Sequence, residues 1–433
     1  MATVLYYDMP IVRIFGRENN HMELLHALLV HPPIFDFTAY DFWLRPYGMM
    51  RVARRLARAC RFTYFDYLTT VKKDSWGRGR FEEEIVAKPE ALRDIPRRFR
   101  RFGRPRAEFQ ELLRSRARSR PFDVALIQTS MTYWYPGVRE VIEDIRALCP
   151  AAKIVLGGVY ATLCPEHAAS LGADLVIHGS NLSPLYELLG VESREPAREK
   201  SRCWMPKENA DVGVLKLSDG CPFHCTYCAA PMMWEGFKPR GLDECVDDFQ
   251  RLIAAGAKDI AFYDDALLYC ADEVLLPFLD AINAGIGSNS QVRFHTPNAL
   301  NARFMTPELA RRMVNAGFAS FFLGFESGAG AWQTATGGKV NAGEFEAAVK
   351  YLHEAGTSAI FAYIIAGHPD ADEQEAENSI RLARRLGVRV MLSDFPRFPV
   401  RLTVKNARAG LISPSRCRIT KRHLPCVVSA RIV

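Results

Sequence analysis

The sequence predicts an α/β protein: an N-terminal Rossmann-like parallel sheet, followed by a partial (β/α)6 barrel of the TIM type. Three observations predict it. From residue 122 to about 190, and again from 213 to 395, short apolar runs alternate with amphipathic stretches at the pitch of βαβ units. Three of the amphipathic stretches, "ECVDDFQRLIAAG", "PELARRMVNAG" and "EFEAAVKYLHEAG", end in glycine, the usual punctuation between helix and strand. A length of 433 residues exceeds one ordinary domain of roughly 100–200 residues.

Residues 23–190 are read as the first domain. The apolar run "ELLHALLVHPP" and the following "IFDFTAYDFWLRPYGMMRVARRLARA" read as a strand, an aromatic loop and then a helix with Arg on its outer face. Residues 93–120 hold eleven Arg against three acids and read as a solvated helical connector. Then come strands "FDVALIQTS", "AKIVLGG" and "ADLVIHG", separated by helices. In doubly wound sheets the ligand sits beyond the carboxyl ends of the strands. Those ends carry Thr129 and Ser130, Gly157 and Gly158, and Gly179, small or hydroxyl residues that let a ligand approach the backbone. There is no GxGxxG, so a dinucleotide is not indicated.

A linker spans 191–212, and six strands follow over 213–395: "VGVLKLSDG", "KDIAFYDD", "QVRFHTPN", "ASFFLGFES", "SAIFAYIIAG" and "VRVMLSDF". Functional residues of such a barrel belong at the carboxyl ends of its strands. The first of those ends runs straight into "SDGCPFHCTYCAAP", with Cys221, Cys225 and Cys228 inside eight positions. Such spacing lets each thiolate hold a different iron of one cubane. A structural zinc site would want a second CxxC pair nearby, and none occurs. The other cysteines, such as Cys60, Cys149 and Cys245, are scattered among apolar neighbours and read as small core residues.

Three thiolates leave one iron of a [4Fe–4S] cluster open. This CxxxCxxC loop after the first strand of a partial barrel resembles the radical S-adenosylmethionine (SAM) enzymes over residues 212–395. The resemblance implies that SAM chelates the open iron and is cleaved reductively to a 5′-deoxyadenosyl radical. The electron would come from an external flavodoxin- or ferredoxin-type donor. It also implies SAM contacts at Tyr227, at Asp264 and Asp265 ending the second strand, at Glu326 and Ser327 in "GFESG", and at Gly367 in "IIAGHP". His295 and Asn298 end the third strand and are candidates for substrate.

A Rossmann-like sheet before such a barrel resembles the cobalamin-binding class of these enzymes. By that resemblance Thr129, Ser130, Trp134, Gly157, Gly158 and Gly179 lie near a corrinoid, and the reaction is a methyl transfer. The Asp-x-His-x-x-Gly motif that supplies a cobalt ligand in other B12 proteins is absent. The sheet therefore stays open between a cobalamin site and a substrate-binding or vestigial one.

The net charge of +7 is an end effect. The segment after Asp394 has nine Lys or Arg and no acid; without it the chain holds 47 basic and 49 acidic residues. Nucleic acid is thus not indicated as a partner of the body. Residues 396–433 lose both periodicities, as though a frameshift or truncation had replaced the segment that closes the barrel. The alternative reading is accordingly a catalytically inactive or regulatory iron–sulfur protein. No apolar run approaches the ~20 residues of a membrane span, and the N-terminus lacks signal-peptide character. A cytoplasmic location and a small-molecule or peptide substrate are the expectations.

Overall fold

The computed structural model describes residues 24–192, 210–285, 292–366 and 373–394. Gly367, most of the linker and the whole basic tail lie outside the described residues.

The N-terminal unit begins with β1 (Leu25–His31), β2 (Ile34–Asp36), α1 (Tyr47–Leu56) and β3 (Cys60–Asp66). A hairpin of β4 (Thr70–Lys73) and β5 (Gly79–Phe81) follows, then β6 (Glu83–Ile85) and β7 (Arg100–Phe102). The strand–helix series continues with α2 (Arg106–Ser119), β8 (Val124–Thr129), α3 (Tyr135–Leu148) and β9 (Lys153–Gly158). It closes with α4 (Val159–Leu163), α5 (Pro165–Ser170), β10 (Leu175–Val176) and α6 (Ser183–Leu189).

The main sheet is parallel, in the order β10-β9-β8-β1-β3. Strand order reverses between β1 and β8, so the ligand crevice of such a fold lies beyond their carboxyl ends. The alternation of β1 explains the layering. Leu28 and Val30 face Phe109, Leu112 and Ile142 on one side, while Ala27 and Leu29 face Met49, Ala53 and Leu185 on the other.

Residues 93–120 are more than a connector. They supply β7, which pairs antiparallel with β2 and β6, and α2, which buries Phe109, Leu112 and Leu113. Several of their arginines are neutralised inside the domain: Arg101 lies 2.8 Å from Glu140, and Arg106 2.8 Å from Asp144. Composition reports charge but not its partners, and those partners come from α3.

The second unit runs β11 (Val212–Leu215), β12 (Ser218–Asp219), α7 (Ala230–Met233), β13 (Lys238–Pro239), α8 (Leu242–Ala255) and β14 (Asp259–Phe262). Next are α9 (Leu275–Gly285), β15 (Arg293–His295), α10 (Pro307–Asn315) and β16 (Phe318–Glu326). Last are α11 (Gly330–Ala335), α12 (Ala342–Glu354), β17 (Ile360–Ala366), α13 (Glu373–Arg385) and β18 (Arg389–Asp394). Six parallel strands stand in sequence order, β11-β14-β15-β16-β17-β18, with β11 and β18 left as edges. The predicted glycines Gly256, Gly317 and Gly356 all adopt positive φ.

Outward-facing Ile260, Phe262, Phe321, Leu323 and Ile364 pack under the helices. Inward-facing Val214, Ala261, Phe322, Tyr363 and Met391 surround an indole from the first unit, that of Trp43. Trp43 is wholly buried, stacks on His295 with ring centroids 4.1 Å apart, and donates its Nε1–H to Trp76 O at 2.6 Å. The N-terminal unit thus fills part of the unclosed barrel. Arg51–Asp219 (3.1 Å), Arg54–Asp248 (2.8 Å) and Lys73–Asp211 (2.7 Å) ring this junction. Among the described residues no helix is long and apolar enough to cross a membrane.

Candidate functional site

The chain leaves β11 under the control of Asp264, just past β14. The Asp264 Oδ1 accepts hydrogen bonds from Leu217 N (2.9 Å), Ser218 N (2.7 Å) and Ser218 Oγ (2.7 Å). Asp264 was expected to meet SAM. Its carboxylate is instead spent on the backbone that launches the cysteine loop, and it is only 3% exposed. Burial pushes its carboxyl up to about 6, against the pull of Lys216 and of those hydrogen bonds.

Between the ordinary 3.8 and about 6 the folded chain therefore holds a proton that the unfolded chain has released. The group's contribution to stability is complete below 3.8 and is lost as pH rises through about 6, by about 3 kcal/mol at most. We expect Asp264→Asn to flatten this part of the profile. Urea midpoints of parent and variant, compared across the range, test it; curves that stay parallel would rule the assignment out.

The loop beyond holds Cys221, Cys225 and Cys228 as free thiols, Cys225 buried and the other two half-buried. Cys228 N donates to Cys225 O at 3.0 Å, and Ala230 N to the Cys228 Sγ at 3.4 Å. Burial pushes the Cys221 thiol up to about 11; Cys228 raises it further and Lys339 opposes. The sulfurs are thus near enough to feel one another. Among the described residues no three His, Cys, Asp or Glu side chains converge on one metal ion. A cubane makes a different demand, one thiolate per iron, and three free thiols on one short loop are the donor set that it needs.

Tyr227 stacks on Trp332, centroids 5.5 Å apart. Asp265 lies 3.4 Å from the ammonium of Lys216, which also sits over the Trp234 ring. Glu326 is fully buried and ion-paired to Lys339 at 3.0 Å. Ser327 Oγ accepts from Ala329 N at 3.1 Å. Asn298 donates to Tyr263 O at 2.9 Å, and its own Oδ1 is buried with no partner.

His295 departs from expectation. It is fully buried one layer down inside the barrel, with Nε2 2.9 Å from Asp259 and Nδ1 2.7 Å from Ser320, under Trp43. Burial lowers its pKa. Its ring is turned to Asp259, the first residue of β14, and so away from the carboxyl ends of the strands.

At the carboxyl edge of the N-terminal sheet, Thr129 Oγ1 accepts from Ala161 N at 3.0 Å and is fully buried. Trp134 donates to Asp36 Oδ2 at 2.9 Å and packs on a small apolar cluster around Ile34 and Phe102. Those two expected contacts are turned into the scaffold. Gly158, at φ +116, has no space for a side chain, since a Cβ would run into Thr129 O. Gly157 and Gly179 are different: a Cβ meets nothing nearer than 3.9 Å on Gly157, and nothing within 4 Å on Gly179. Ser130 is half-buried, its carbonyl taken by Tyr160 N. The short α4 leads from this edge to α7, the helix directly after Cys228, and packs against it.

Residues 215–383 match the Radical SAM superfamily. A threonylcarbamoyladenosine tRNA methylthiotransferase of Thermotoga maritima is 28% identical over 134 residues, 28% of this chain and 30% of that protein. An uncharacterized methyltransferase of Pyrococcus horikoshii is 24% identical over 189 residues, 42% of this chain and 40% of that one. The chain thus aligns with less than half the length of these curated relatives. Among solved structures, the radical SAM methyltransferase TsrM from Kitasatospora setae, with tryptophan and a SAM analogue bound, superimposes with TM-score 0.60 at 15% identity. That match covers 86% of this chain and 72% of TsrM. The cobalamin-dependent SAM radical enzyme OxsB, with aqua-cobalamin and SAM bound, gives TM-score 0.55 at 13% identity over 83% and 52%. At such identities these likenesses establish a shared fold.

Proposed function

From a radical SAM domain over residues 215–383, we propose an enzyme that cleaves SAM reductively and passes the radical to a substrate held beneath the N-terminal sheet. The observation that carries the reading is the loop after β11, where three free cysteines lie within eight positions at the carboxyl end of the barrel. Cys221, Cys225 and Cys228 would hold a [4Fe–4S] cluster, which supplies the electron and an open iron for SAM. Around it Tyr227 offers a stacked aromatic face, Asp265 a carboxylate for a cationic amine, and Ser327 a hydroxyl beside the end of β16.

The finer reading is a cobalamin-dependent methyl transfer. Its support is the open backbone at Gly157 and Gly179, the adjacency of that edge to the cysteine loop, and the fold shared with OxsB and TsrM. Gly157, Gly179 and Ser130 would border the corrinoid, which would supply methyl-carrier chemistry.

The test is anaerobic reconstitution with iron and sulfide, followed by dithionite and SAM and assay for 5′-deoxyadenosine. Cobalamin is then added and its retention read by absorbance after gel filtration. Formation of 5′-deoxyadenosine supports SAM cleavage, and retained corrinoid supports the finer reading. A well-formed cluster with no SAM cleavage would sink the enzyme assignment.

A further inference from the structure

The cysteine loop meets a second loop, between α11 and α12, that the reading above leaves unused. Backbone joins the two: Thr226 N donates to Thr336 O at 3.1 Å, and a Cβ on Gly337 would stand 3.1 Å from the Cys225 Cα. Two residues on, Lys339 turns back toward the barrel. Its ammonium rests 3.0 Å from Glu326 Oε1, with the Lys339 side chain 14% exposed.

The ammonium passes so close to β16 that a side chain at Gly324 would collide with it, and would come within 2.9 Å of Glu326 Oε1. Glu326 itself holds φ +63, a left-handed conformation costly for a residue with a side chain. Such strain persists where the surroundings over-determine it, and it clusters at functional sites. Burial pulls the Lys339 pKa down, and the opposing charges that hold its proton on are those of Cys225, Cys228 and Cys221. A lysine in a solvated loop would present none of this.

We propose that Lys339, seated on Glu326, is a positioning residue whose fixed ammonium beside the three thiolates raises the reduction potential of the cluster. The inference rests on the cluster reading above. On reduction the cluster gains one electron from a one-electron donor and no proton moves, so the added negative charge is stabilised by a buried cation, and removing the ammonium also leaves the Glu326 carboxylate without its counter-ion. In a site of low dielectric that stabilisation is far larger than in water. Net charge and solvent exposure around a cluster are among the features that set its potential.

The experiment is a dye-mediated redox titration of reconstituted wild type, Lys339→Met and Lys339→Arg without SAM, followed by visible absorbance and EPR. The methionine variant is expected to hold iron and sulfide as the wild type does. At a fixed potential its reduced-to-oxidised ratio should fall about tenfold, equivalent to about 59 mV for one electron. The arginine variant should recover most of that shift. If the methionine variant holds no cluster, Lys339→Gln is titrated in its place. Equal midpoints for the wild type and a neutral variant overturn the proposal. Loss of the cluster from both neutral variants does so too, since it would mark Lys339 as needed for assembly. A wild type that takes up no cluster overturns the underlying reading, and the proposal with it.

Discussion

Cys225→Ala is expected to abolish cluster retention and 5′-deoxyadenosine formation together, while leaving the fold in place. Bound iron should fall from about four per chain toward none, because two thiolates leave two irons of the cubane without a protein ligand. Cys225 is buried, so the substitution removes one sulfur from a packed position and costs on the order of 1 kcal/mol. Anaerobic iron and sulfide analysis beside a urea melt separates the two effects. Activity at wild-type level in a soluble Cys225→Ala protein would sink the assignment of this loop. Unfolding of the variant would show instead that the thiol was needed for packing, and Cys225→Ser would then be the informative variant.

Trp43→Ala is expected to carry the largest stability cost, about 3–5 kcal/mol. That is a substantial share of the 5–15 kcal/mol typical of folded proteins. The indole is fully buried, stacked on His295 and hydrogen-bonded to Trp76 O. Its removal empties the interior that Val214, Phe322 and Tyr363 line, and leaves the Trp76 carbonyl without that donor. Trp43→Phe should restore roughly half of the loss, since it refills volume without the N–H. The measurement is the urea midpoint of all three proteins. A loss below about 1 kcal/mol for the alanine variant would show that the barrel relaxes around the gap.

The strand–helix alternation was legible because each βα unit repeats one pattern, an apolar run and then a 3.6-period helix. All six barrel strands, β11 and β14 to β18, and the strands β1, β8, β9 and β10 stand where that pattern puts them. The cysteine loop was legible because its ligands are local. What stayed hidden depends on contacts between distant residues. Nothing around Trp43 says that it inserts between Val214 and Tyr363, more than 150 residues away. Lys339, in "TATGGKVNAGEF", reads as an ordinary solvated lysine, and the paired glycines before it are the one faint signal of a tight approach. Asp264 and Asp265 are indistinguishable as letters; only the fold shows that the first accepts from the backbone at Leu217 and Ser218 while the second meets Lys216. Similarly, "RFHTPN" marks a strand end but not how far its histidine lies below the mouth.

The insertion of residues 41–47 into the unclosed wall limits how this protein can be cut and recombined. A barrel expressed from about residue 210 would expose Val212, Val214 and Met391, would take Lys73 from Asp211, and would leave Asp219 and Asp248 only their partners within the barrel, Lys216 and Arg240. A chimera that swaps in a different N-terminal sheet would have to transplant the tryptophan-bearing segment and the 70–81 hairpin along with the host barrel. The natural seam for domain exchange therefore runs through three dimensions, inside the first unit, and does not coincide with the linker that the linear chain advertises.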